Sequence, residues 1–351
     1  MGKHALIVGA TGISGSNLAE HLLQEEWIVS GLSRSVSSVD GVKSLQCDLT
    51  DPASVRDAVA ALSPTHVFIT AWSRQSTEVE NCEVNGGIVR TVLDSVVGRG
   101  VKHVALVTGT KHYLGPFEAY AKTSPETPFR EEQPRLPNLN FYYVQEDEVF
   151  AAASRDGFTW SIHRPHTLIG YAVGNAMNMA ATLAAYATIC KETGRPFVFP
   201  GSPQQWSAAT DVTDARLLAH HMHWAATTPE ASNQAFNVVN GEVFRWKWLW
   251  PRLASYFDIE AAPYPGHPQP LEVSMADAAT EWDKIVLDHD LLPNELSRVA
   301  SFWHSDADLS REVETFNDMG RSRKLGFLEY QDTTQSFTDA FDRLRADRIV
   351  P

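Results

Sequence analysis

Cysteine is scarce in this chain, which has only three among its 351 residues, at Cys47, Cys82 and Cys190. Their odd number and wide spacing fit neither a disulfide framework nor a zinc site, so a reducing compartment is expected. The run from His220 to His223 does not suggest a metal either, because its three histidines do not share one face of a helix. No metal is therefore predicted.

Long apolar runs and an excess of positive charge are also missing. No stretch approaches the ~20 apolar residues that a membrane helix needs, and the amino terminus leads directly into a predicted strand without a signal peptide. The formal net charge is −14, which disfavours binding to nucleic acid or to an anionic membrane. We expect a cytoplasmic enzyme or binding protein that contacts neither nucleic acid nor membrane.

The chain opens with an apolar strand, a glycine-rich loop and an amphipathic helix, which is the order of a dinucleotide-binding site. Gly9 allows the tight turn, Gly12 lets the backbone approach a pyrophosphate, and Gly15 lets the helix pack close to the strand. The amino terminus of the following helix attracts the anion. The spacing Gly-x-x-Gly-x-x-Gly is similar to that of the extended or atypical short-chain dehydrogenases/reductases.

The end of the second predicted strand distinguishes between the two nicotinamide dinucleotides. Arg34 and Ser33 lie about twenty residues past the glycines, where an acid binds the ribose of NAD and an arginine accommodates the 2′-phosphate of NADP. No acidic residue occurs there before Asp40. We therefore predict NADPH as the cofactor.

Predicted strands and helices alternate through the first half of the chain, which is typical of a doubly wound parallel sheet. We predict an α/β, Rossmann-like NADP-binding domain with helices on both faces of the sheet over residues 1–170. Residues 171–351 are predicted to form a smaller, mainly helical substrate-binding part. The two parts interleave if the strand predicted at 234–239 returns to the sheet. A short strand or an extended stretch is predicted at 196–201, and a short strand at 327–330.

Two segments carry the predicted chemistry. A buried strand ends in Thr-Gly-Thr-Lys at residues 108–111, which puts Lys111 at the sheet edge where parallel α/β folds bind ligands. Asn-Phe-Tyr-Tyr, starting at residue 140, then places Tyr142 and Tyr143 at the start of a predicted helix. An ammonium and a phenol brought together can stabilise an oxyanion. Adjacent helical residues point about 100° apart, so only one phenol should face the cofactor.

These motifs resemble those of the progesterone 5β-reductase/iridoid synthase-like (PRISE) reductases, within the short-chain dehydrogenase/reductase superfamily and similar to a bacterial-type member. The resemblance covers nearly the whole chain, including Ser-Ile-His-Arg-Pro at 161–165 and the closing Ile-Val-Pro. It implies NADPH-dependent 1,4-reduction of the carbon–carbon double bond of α,β-unsaturated ketones or aldehydes, by hydride transfer to the β-carbon. Lys111 and Tyr142 are the implied catalytic residues, with Tyr143 as the alternative phenol.

The resemblance also implies a wider set of contacts, in the glycine loop, at the carboxyl ends of the strands and after the sixth strand. Phe117 and Trp72 are expected to line the substrate pocket. The predicted cofactor-binding residues are Gly9, Thr11, Gly12, Ile13, Gly15, Ser33, Arg34, Ser35, Asp48, Leu49, Thr70, Ala71, Trp72, Thr108, Gly109, Arg164, Pro165 and Ile169.

Two other functions stay open from the sequence. One is reduction of the carbonyl itself, or modification of a sugar nucleotide, on the same scaffold. Other short-chain reductases place a lysine four residues after the tyrosine, and Glu146 at that position disfavours this alternative. The other is a redox sensor that binds NADP(H) without turnover, which the intact Lys111 and Tyr142 disfavour. The expected partner is a small, apolar enone or enal, and a homodimer is left open.

Overall fold

The computed structural model describes residues 2–116, 125–172, 174 and 177–351. Seven strands form one parallel sheet, with its order reversing at the first strand, and two further strands pair with each other. The strands in chain order are β1 (His4–Val8), β2 (Ile28–Ser33), β3 (Lys43–Gln46), β4 (His66–Ile69), β5 (His103–Val107), β6 (Thr159–Pro165), β7 (Leu168–Ile169), β8 (Thr213–Asp214) and β9 (Gln234–Val238).

The large sheet has the order β3-β2-β1-β4-β5-β6-β9, and each neighbouring pair is parallel. The chain therefore changes direction across the sheet between β1 and β4. Such a switch point opens a crevice at the carboxyl ends of the strands, where doubly wound folds bind ligands. β9 lies beside β6, so the strand predicted from the second half of the chain does join the sheet.

Helices flank the sheet and build most of the second half. In the first half they are α1 (Ile13–Gln24), α2 (Pro52–Val59), α3 (Glu78–Ser95), α4 (Lys111–Leu114) and α5 (Phe141–Asp156). In the second half they are α6 (Met179–Thr193), α7 (Pro203–Ser207), α8 (Ala215–Thr227), α9 (Trp246–Tyr256), α10 (Leu271–Ser274), α11 (Ala278–Asp288), α12 (Leu296–Val299), α13 (Phe302–Leu309), α14 (Gly320–Lys324) and α15 (Thr333–Ala346).

The two faces of the sheet have separate apolar cores, because successive strand residues point to opposite sides. On one face, Leu6 and its neighbours pack against α2, α3 and α5. On the other face, Ala5 and Ile7 pack against α1 and α8. The predicted Rossmann-like fold with helices on both faces is confirmed.

A third and larger core holds the second half together. It includes Trp250, Trp282 and Phe197, each at most 2% exposed, and it is built mainly from α6, α9, α11 and α15. Among the residues described, no helix combines the length and the apolar character needed to cross a membrane.

Residues 196–201 form an extended stretch and not a strand, and the short strand predicted at 327–330 is wrong. Phe197 makes only an isolated bridge with Ala261, and the backbone N–H of Phe327 donates to the carbonyl of Ser322 instead of to a neighbouring strand. Both segments are apolar enough for a strand, but the fold gives neither a strand partner along its length.

Candidate functional site

A cavity of about 750 Å³ opens at the carboxyl edge of the sheet. Most of the predicted site residues meet there although they come from distant parts of the chain. Those lining it are Gly9, Thr11, Gly12, Ile13, Ser33, Arg34, Asp48, Leu49, Thr70, Ala71, Trp72, Thr108, Gly109, Lys111, Tyr142 and Pro165.

Four predicted contacts are not among the lining residues. Gly15 lies under the glycine loop, Ile169 lies in the apolar core of the second half, and Ser35 is an exposed residue just after β2. The guanidinium of Arg164 donates to the Tyr113 hydroxyl over 3.2 Å and pairs with Glu146 at 3.3 Å. Phe117, predicted to line the substrate pocket, lies outside the described residues.

The glycine loop has the backbone geometry that close packing requires. Gly9 has a φ of +92°, and a Cβ there would lie 2.8 Å from the Cβ of Ala71. A Cβ on Gly15 would lie only 2.2 Å from the carbonyl oxygen of Gly9. Gly12 is the N-cap of α1 and provides no side-chain cap. The first N–H groups of α1 are thus available to an anion at the cavity, so this loop fits a pyrophosphate.

The end of β2 presents charge at one end of the cavity. Arg34 is exposed and lines the cavity beside Ser33 and Asp48. Hydrogen bonds from the hydroxyl and the backbone N–H of Thr50 lower the pKa of Asp48, whose carboxylate is therefore charged at neutral pH. The Ser33 hydroxyl donates to the carbonyl of Ser35 over 2.6 Å. The guanidinium of Arg34 is available to a phosphate here.

The predicted catalytic phenol lies against the end of β5. A Cβ built on Gly109 would lie 3.2 Å from the hydroxyl oxygen of Tyr142. A larger residue at position 109 would therefore push that oxygen away by a few tenths of an ångström. Burial, together with the negative charges of Glu78 and Asp308, raises the pKa of Tyr142 well above its ordinary value. The Tyr142 hydroxyl therefore keeps its proton at neutral pH and can donate it in a hydrogen bond.

The predicted catalytic lysine lies beside the same phenol. The Nζ of Lys111 is 4.6 Å from the centre of the Phe141 ring and 5.9 Å from the centre of the Tyr142 ring. It is also 3.5 Å from Oε2 of Glu78, in a pair whose side chains are 9% and 13% exposed. An ammonium so placed adds positive charge to this part of the cavity.

Two polar side chains, the buried Asn140 and the partly buried Glu78, connect the lysine segment to the start of α5. Oδ1 of Asn140 accepts from the backbone N–H of Tyr142 at 3.0 Å, and its Nδ2 donates to the carbonyl of Lys111 at 2.8 Å. Oε1 of Glu78 accepts from the backbone N–H of Phe141 at 2.9 Å, while its other oxygen faces the lysine ammonium. The relative position of the phenol and the ammonium is thus set by hydrogen bonds.

The second phenol of the motif is directed elsewhere. The Tyr143 hydroxyl donates to the carbonyl of His112 at 2.6 Å and accepts from the backbone N–H of Leu136 at 3.0 Å. Tyr143 is not among the residues that line the cavity. Of the two adjacent tyrosines, the structure therefore brings only Tyr142 together with Lys111.

Glu146 occupies the position at which other short-chain reductases carry a lysine. It is 1% exposed and pairs with Arg135 at 2.8 Å, Arg164 at 3.3 Å and His112 at 3.6 Å. Burial raises its pKa, but the nearby ring of His112 and the positive charges of Arg164 and Arg135 outweigh burial and hold the pKa at about 2. Glu146 is thus the charged centre of a buried cluster that also includes Arg164.

One wall of the cavity was not predicted. It comes from α13 and the two residues after it, and it contains Trp303, His304, Asp308 and Arg311. The carboxylate of Asp308 is 3.0 Å from the guanidinium of Arg311. No motif marks these residues, because only the folded chain brings them to the sheet edge.

This wall continues into the loop after β6. The Thr167 hydroxyl donates to Asp308 at 2.8 Å, and Nδ1 of His166 lies 2.7 Å from Oδ1 of the buried Asp211. On the opposite rim, the guanidinium carbon of Arg74 lies 3.7 Å from the centre of the Trp303 ring. The cavity therefore has one polar, hydrogen-bonded wall, which includes Thr167 and Asp308, in addition to the wall that contains Tyr142.

Solved structures with the same fold include an NAD⁺ complex and a sugar-nucleotide epimerase. The Bordetella bronchiseptica enzyme WbmH in complex with NAD⁺ matches with a TM-score of 0.68 at 16% identity, covering 98% of this chain and 99% of its own. The UDP-glucose 4-epimerase of Thermotoga maritima with UDP-glucose matches with a TM-score of 0.68 at 13% identity, with the same coverage. At such low identity the likeness concerns the fold alone.

Comparison of sequences is more specific. The chain is 39% identical to the (S)-8-oxocitronellyl enol synthase of Nepeta cataria, over 99% of this chain and 93% of the relative. It is 38% identical to the 3-oxo-Δ4,5-steroid 5β-reductase of Arabidopsis thaliana, with the same coverage. Residues 12–351 match the family described as the PRISE-like Rossmann-fold domain. The resemblance seen in the motifs is thereby confirmed, and the chain belongs to the PRISE-like Rossmann-fold family.

Proposed function

We propose that this protein is an NADPH-dependent enone reductase that saturates the carbon–carbon double bond of α,β-unsaturated ketones or aldehydes. The observation that carries the proposal is the meeting of Tyr142 and Lys111 in one cavity with the glycine loop at the start of α1. The names of the relatives support it, since one is a reductase of 3-oxo-Δ4,5-steroids and another is an 8-oxocitronellyl enol synthase.

The residues that would hold the cofactor follow the length of the cavity. The loop from Gly9 to Gly12 and the first N–H groups of α1 fit the pyrophosphate. Arg34 and Ser33 fit the 2′-phosphate that distinguishes NADPH from NADH. Pro165, at the end of β6, lies at the other end of the lining, beside Gly109. A Cβ on Gly109 would lie 3.2 Å from the carbonyl of Pro165, which shows how closely these two segments approach.

The reaction requires the protein to stabilise negative charge on the substrate. NADPH, when bound, supplies the hydride that adds to the β-carbon. As that bond forms, charge accumulates on the carbonyl oxygen of the substrate, and the protonated hydroxyl of Tyr142 donates a hydrogen bond to it. This interaction is stronger in the transition state than in the ground state, so it accelerates the reaction.

Lys111 also stabilises the negative charge on the carbonyl oxygen of the substrate. Its ammonium, oriented by Glu78 and by the ring of Phe141, favours a negative substrate oxygen close to Tyr142. The α-carbon of the resulting enolate takes its proton from solvent, which completes the addition of one hydride and one proton across the double bond. Neither side chain changes its own protonation state in this scheme.

We also propose that the two parts of the chain have different roles. Residues 1–170 hold the cofactor and the reacting groups, and residues 171–351 bind the substrate. The contribution of α13 to the cavity wall supports this division, since Trp303 and His304 face the same space as Tyr142.

The test is NADPH consumption with a panel of cyclic and open-chain enones and enals, with each product identified by mass spectrometry and NMR. A saturated ketone or aldehyde is the expected product. An allylic alcohol would show carbonyl reduction instead, and tight NADPH binding without turnover across the panel would favour the redox sensor. Tyr142→Phe serves as the background control in every assay.

A further inference from the structure

A cluster of histidine and glutamate side chains lies at the far end of α1 from the glycine loop. His21 and Glu25 lie one turn apart where α1 ends. His220 and His223 lie one turn apart on α8, which packs against α1. The cluster is outside the lining of the cavity, and its residues have no part in the proposed reaction.

The nitrogen and oxygen atoms of this cluster are close enough to share one ion. Nε2 of His21 lies 3.0 Å from Nδ1 of His223. One ligand atom from each of His21, Glu25 and His223 can be chosen so that all lie within 4.8 Å of one another. Two nitrogens bound tetrahedrally to one Zn²⁺ lie about 3.4 Å apart, from the usual Zn–N distance of about 2.0–2.1 Å. The observed spacing therefore requires little rearrangement.

We propose that His21, Glu25 and His223 form a binding site for a divalent transition metal, best filled by Zn²⁺. Two imidazoles and one carboxylate suit a borderline ion such as Zn²⁺, whereas Ca²⁺ and Mg²⁺ require oxygen ligands throughout. Three protein ligands leave the fourth tetrahedral position to water. The site goes beyond the proposed reductase function, because it joins two helices rather than contacting the cavity.

The ligand rings are held in place by their neighbours. The ring of His220 lies on that of His21, with centres 4.2 Å apart, and its own Nδ1 is 2.6 Å from a carboxylate oxygen of Glu329. The edge of Trp27 packs on His223 at 5.4 Å.

The sequence alone argued against a metal here, and the reason is geometric. The histidines of the 220–223 run do not share a face, so this run by itself cannot surround an ion. Packing of α1 against α8 adds His21 and Glu25 to His223, from positions about 200 residues away in the chain. The site therefore depends on the fold and not on a sequence motif.

The experiment is zinc titration of the full chain after treatment with a chelator and dialysis, followed by calorimetry and metal analysis. One Zn²⁺ per chain is expected. His21→Ala and His223→Ala should each weaken binding at least about 100-fold, since losing even an outer-shell partner typically costs 10- to 100-fold. His289→Ala is the matched control, because His289 also lies on the surface near a glutamate, Glu192, at 3.3 Å, and it should bind zinc like the wild type.

Two further measurements separate ligand loss from misfolding. Co²⁺ in the site should give the intense absorption of a tetrahedral ion, which His289→Ala keeps. Glu25 is exposed, so Glu25→Gln should fold normally and still bind zinc more weakly. At a free zinc concentration 100 times the Kd, the unfolding equilibrium constant of the wild type should fall about 100-fold. No stoichiometric zinc in the wild type, or unchanged affinity in folded Glu25→Gln, would overturn the proposal.

Discussion

Asn140 ties the two halves of the proposed catalytic pair together by donating to the carbonyl of Lys111 over 2.8 Å. The same side chain caps α5 through the backbone N–H of Tyr142. We expect Asn140→Ala to lower the free energy of unfolding by about 1 kcal/mol through the lost cap, and to lower kcat at least tenfold because the lysine and the phenol lose their common support. Steady-state kinetics and urea unfolding measure the two effects.

Asn178 provides the matched control for this prediction. It is also 1% exposed, also caps a helix by accepting from the N–H of Ala181, and also donates to a backbone carbonyl, that of Gly170. Asn178→Ala should lose similar stability while keeping kcat near that of the wild type. Equal losses of kcat in the two variants would mean that the cap matters and the link to Lys111 does not.

Tyr142→Phe should lower kcat by about 10²- to 10³-fold, the usual effect of removing one donor to a developing oxyanion, with NADPH binding retained. Tyr143→Phe should keep most of kcat, because the Tyr143 hydroxyl bonds to backbone groups of His112 and Leu136. It should instead lose about 1–3 kcal/mol of stability, since buried partners are left unsatisfied. The reverse pattern of kcat values would assign the reaction to Tyr143.

Arg34→Glu should weaken NADPH binding by about 10- to 100-fold, the effect of a lost charge-assisted contact to phosphate, and should leave NADH binding nearly unchanged. Fluorescence titration with both dinucleotides measures the ratio. Arg56→Glu makes the same change of charge at an exposed position of α2 and should leave both affinities as they are. Equal weakening of NADPH and NADH by Arg34→Glu would remove Arg34 from the 2′-phosphate site.

Two adjacent glycines inside α3 should respond oppositely to alanine. A Cβ on Gly87 would meet nothing within 4 Å, so Gly87→Ala should raise stability by about 0.5–1 kcal/mol through helix propensity. A Cβ on Gly86 would lie 2.7 Å from Cγ1 of Val144 on α5, and Gly86→Ala should be destabilising by about 1–3 kcal/mol through overpacking. Thermal unfolding of both variants checks the signs, and a stabilising Gly86→Ala would show that α3 and α5 can separate freely.

The stability provided by Glu146 should depend on pH. Its pKa is depressed from 4.5 to about 2 in the folded chain, so its contribution is complete above about pH 4.5 and is lost as the pH falls through 2. Glu146→Gln should cost about 3–5 kcal/mol at pH 7, because it leaves buried positive charge uncompensated. The difference from the wild type should then shrink as urea unfolding is repeated at lower pH.

Asp147→Asn is the control for that series. Asp147 is exposed and accepts from the same Arg135 at 2.8 Å, but a surface ion pair contributes only about 0–1 kcal/mol. Asp147→Asn should therefore lose little stability at neutral pH. A difference between Glu146→Gln and the wild type that stays constant with pH would contradict a depressed carboxyl pKa in the cluster.

Local patterns predicted the parts of this protein that depend on neighbouring residues. The strand, glycine loop and α1 form one continuous stretch, and the motifs around Lys111 and Tyr142 each occupy one turn of chain. The fold was predictable for the same reason, since alternating strands and helices leave few ways to build a parallel sheet. The choice between Tyr142 and Tyr143 needed the tertiary structure, because it depends on which face of α5 meets the end of β5.

The remaining features required contacts that no local pattern records. Arg164 was expected beside the cofactor, yet Glu146 and Tyr113 engage its guanidinium. Asp308 and Arg311 reach the cavity only because α13 folds back to the sheet edge. The metal-binding cluster likewise depends on the packing of α1 against α8.

The bridge from Asn140 to Lys111 also bears on how such enzymes diverge. It joins Lys111 directly to Asn140 across the intervening stretch of chain, so the hydrogen bonds that set the distance between the proposed reacting groups are made at the two ends of that stretch. Within that stretch, residues that make no contact with α5 can be inserted, deleted or replaced while the same reaction is inherited. Selection for new substrates can thus change the stretch between Lys111 and Asn140, while the hydrogen bonds at its two ends conserve the chemistry.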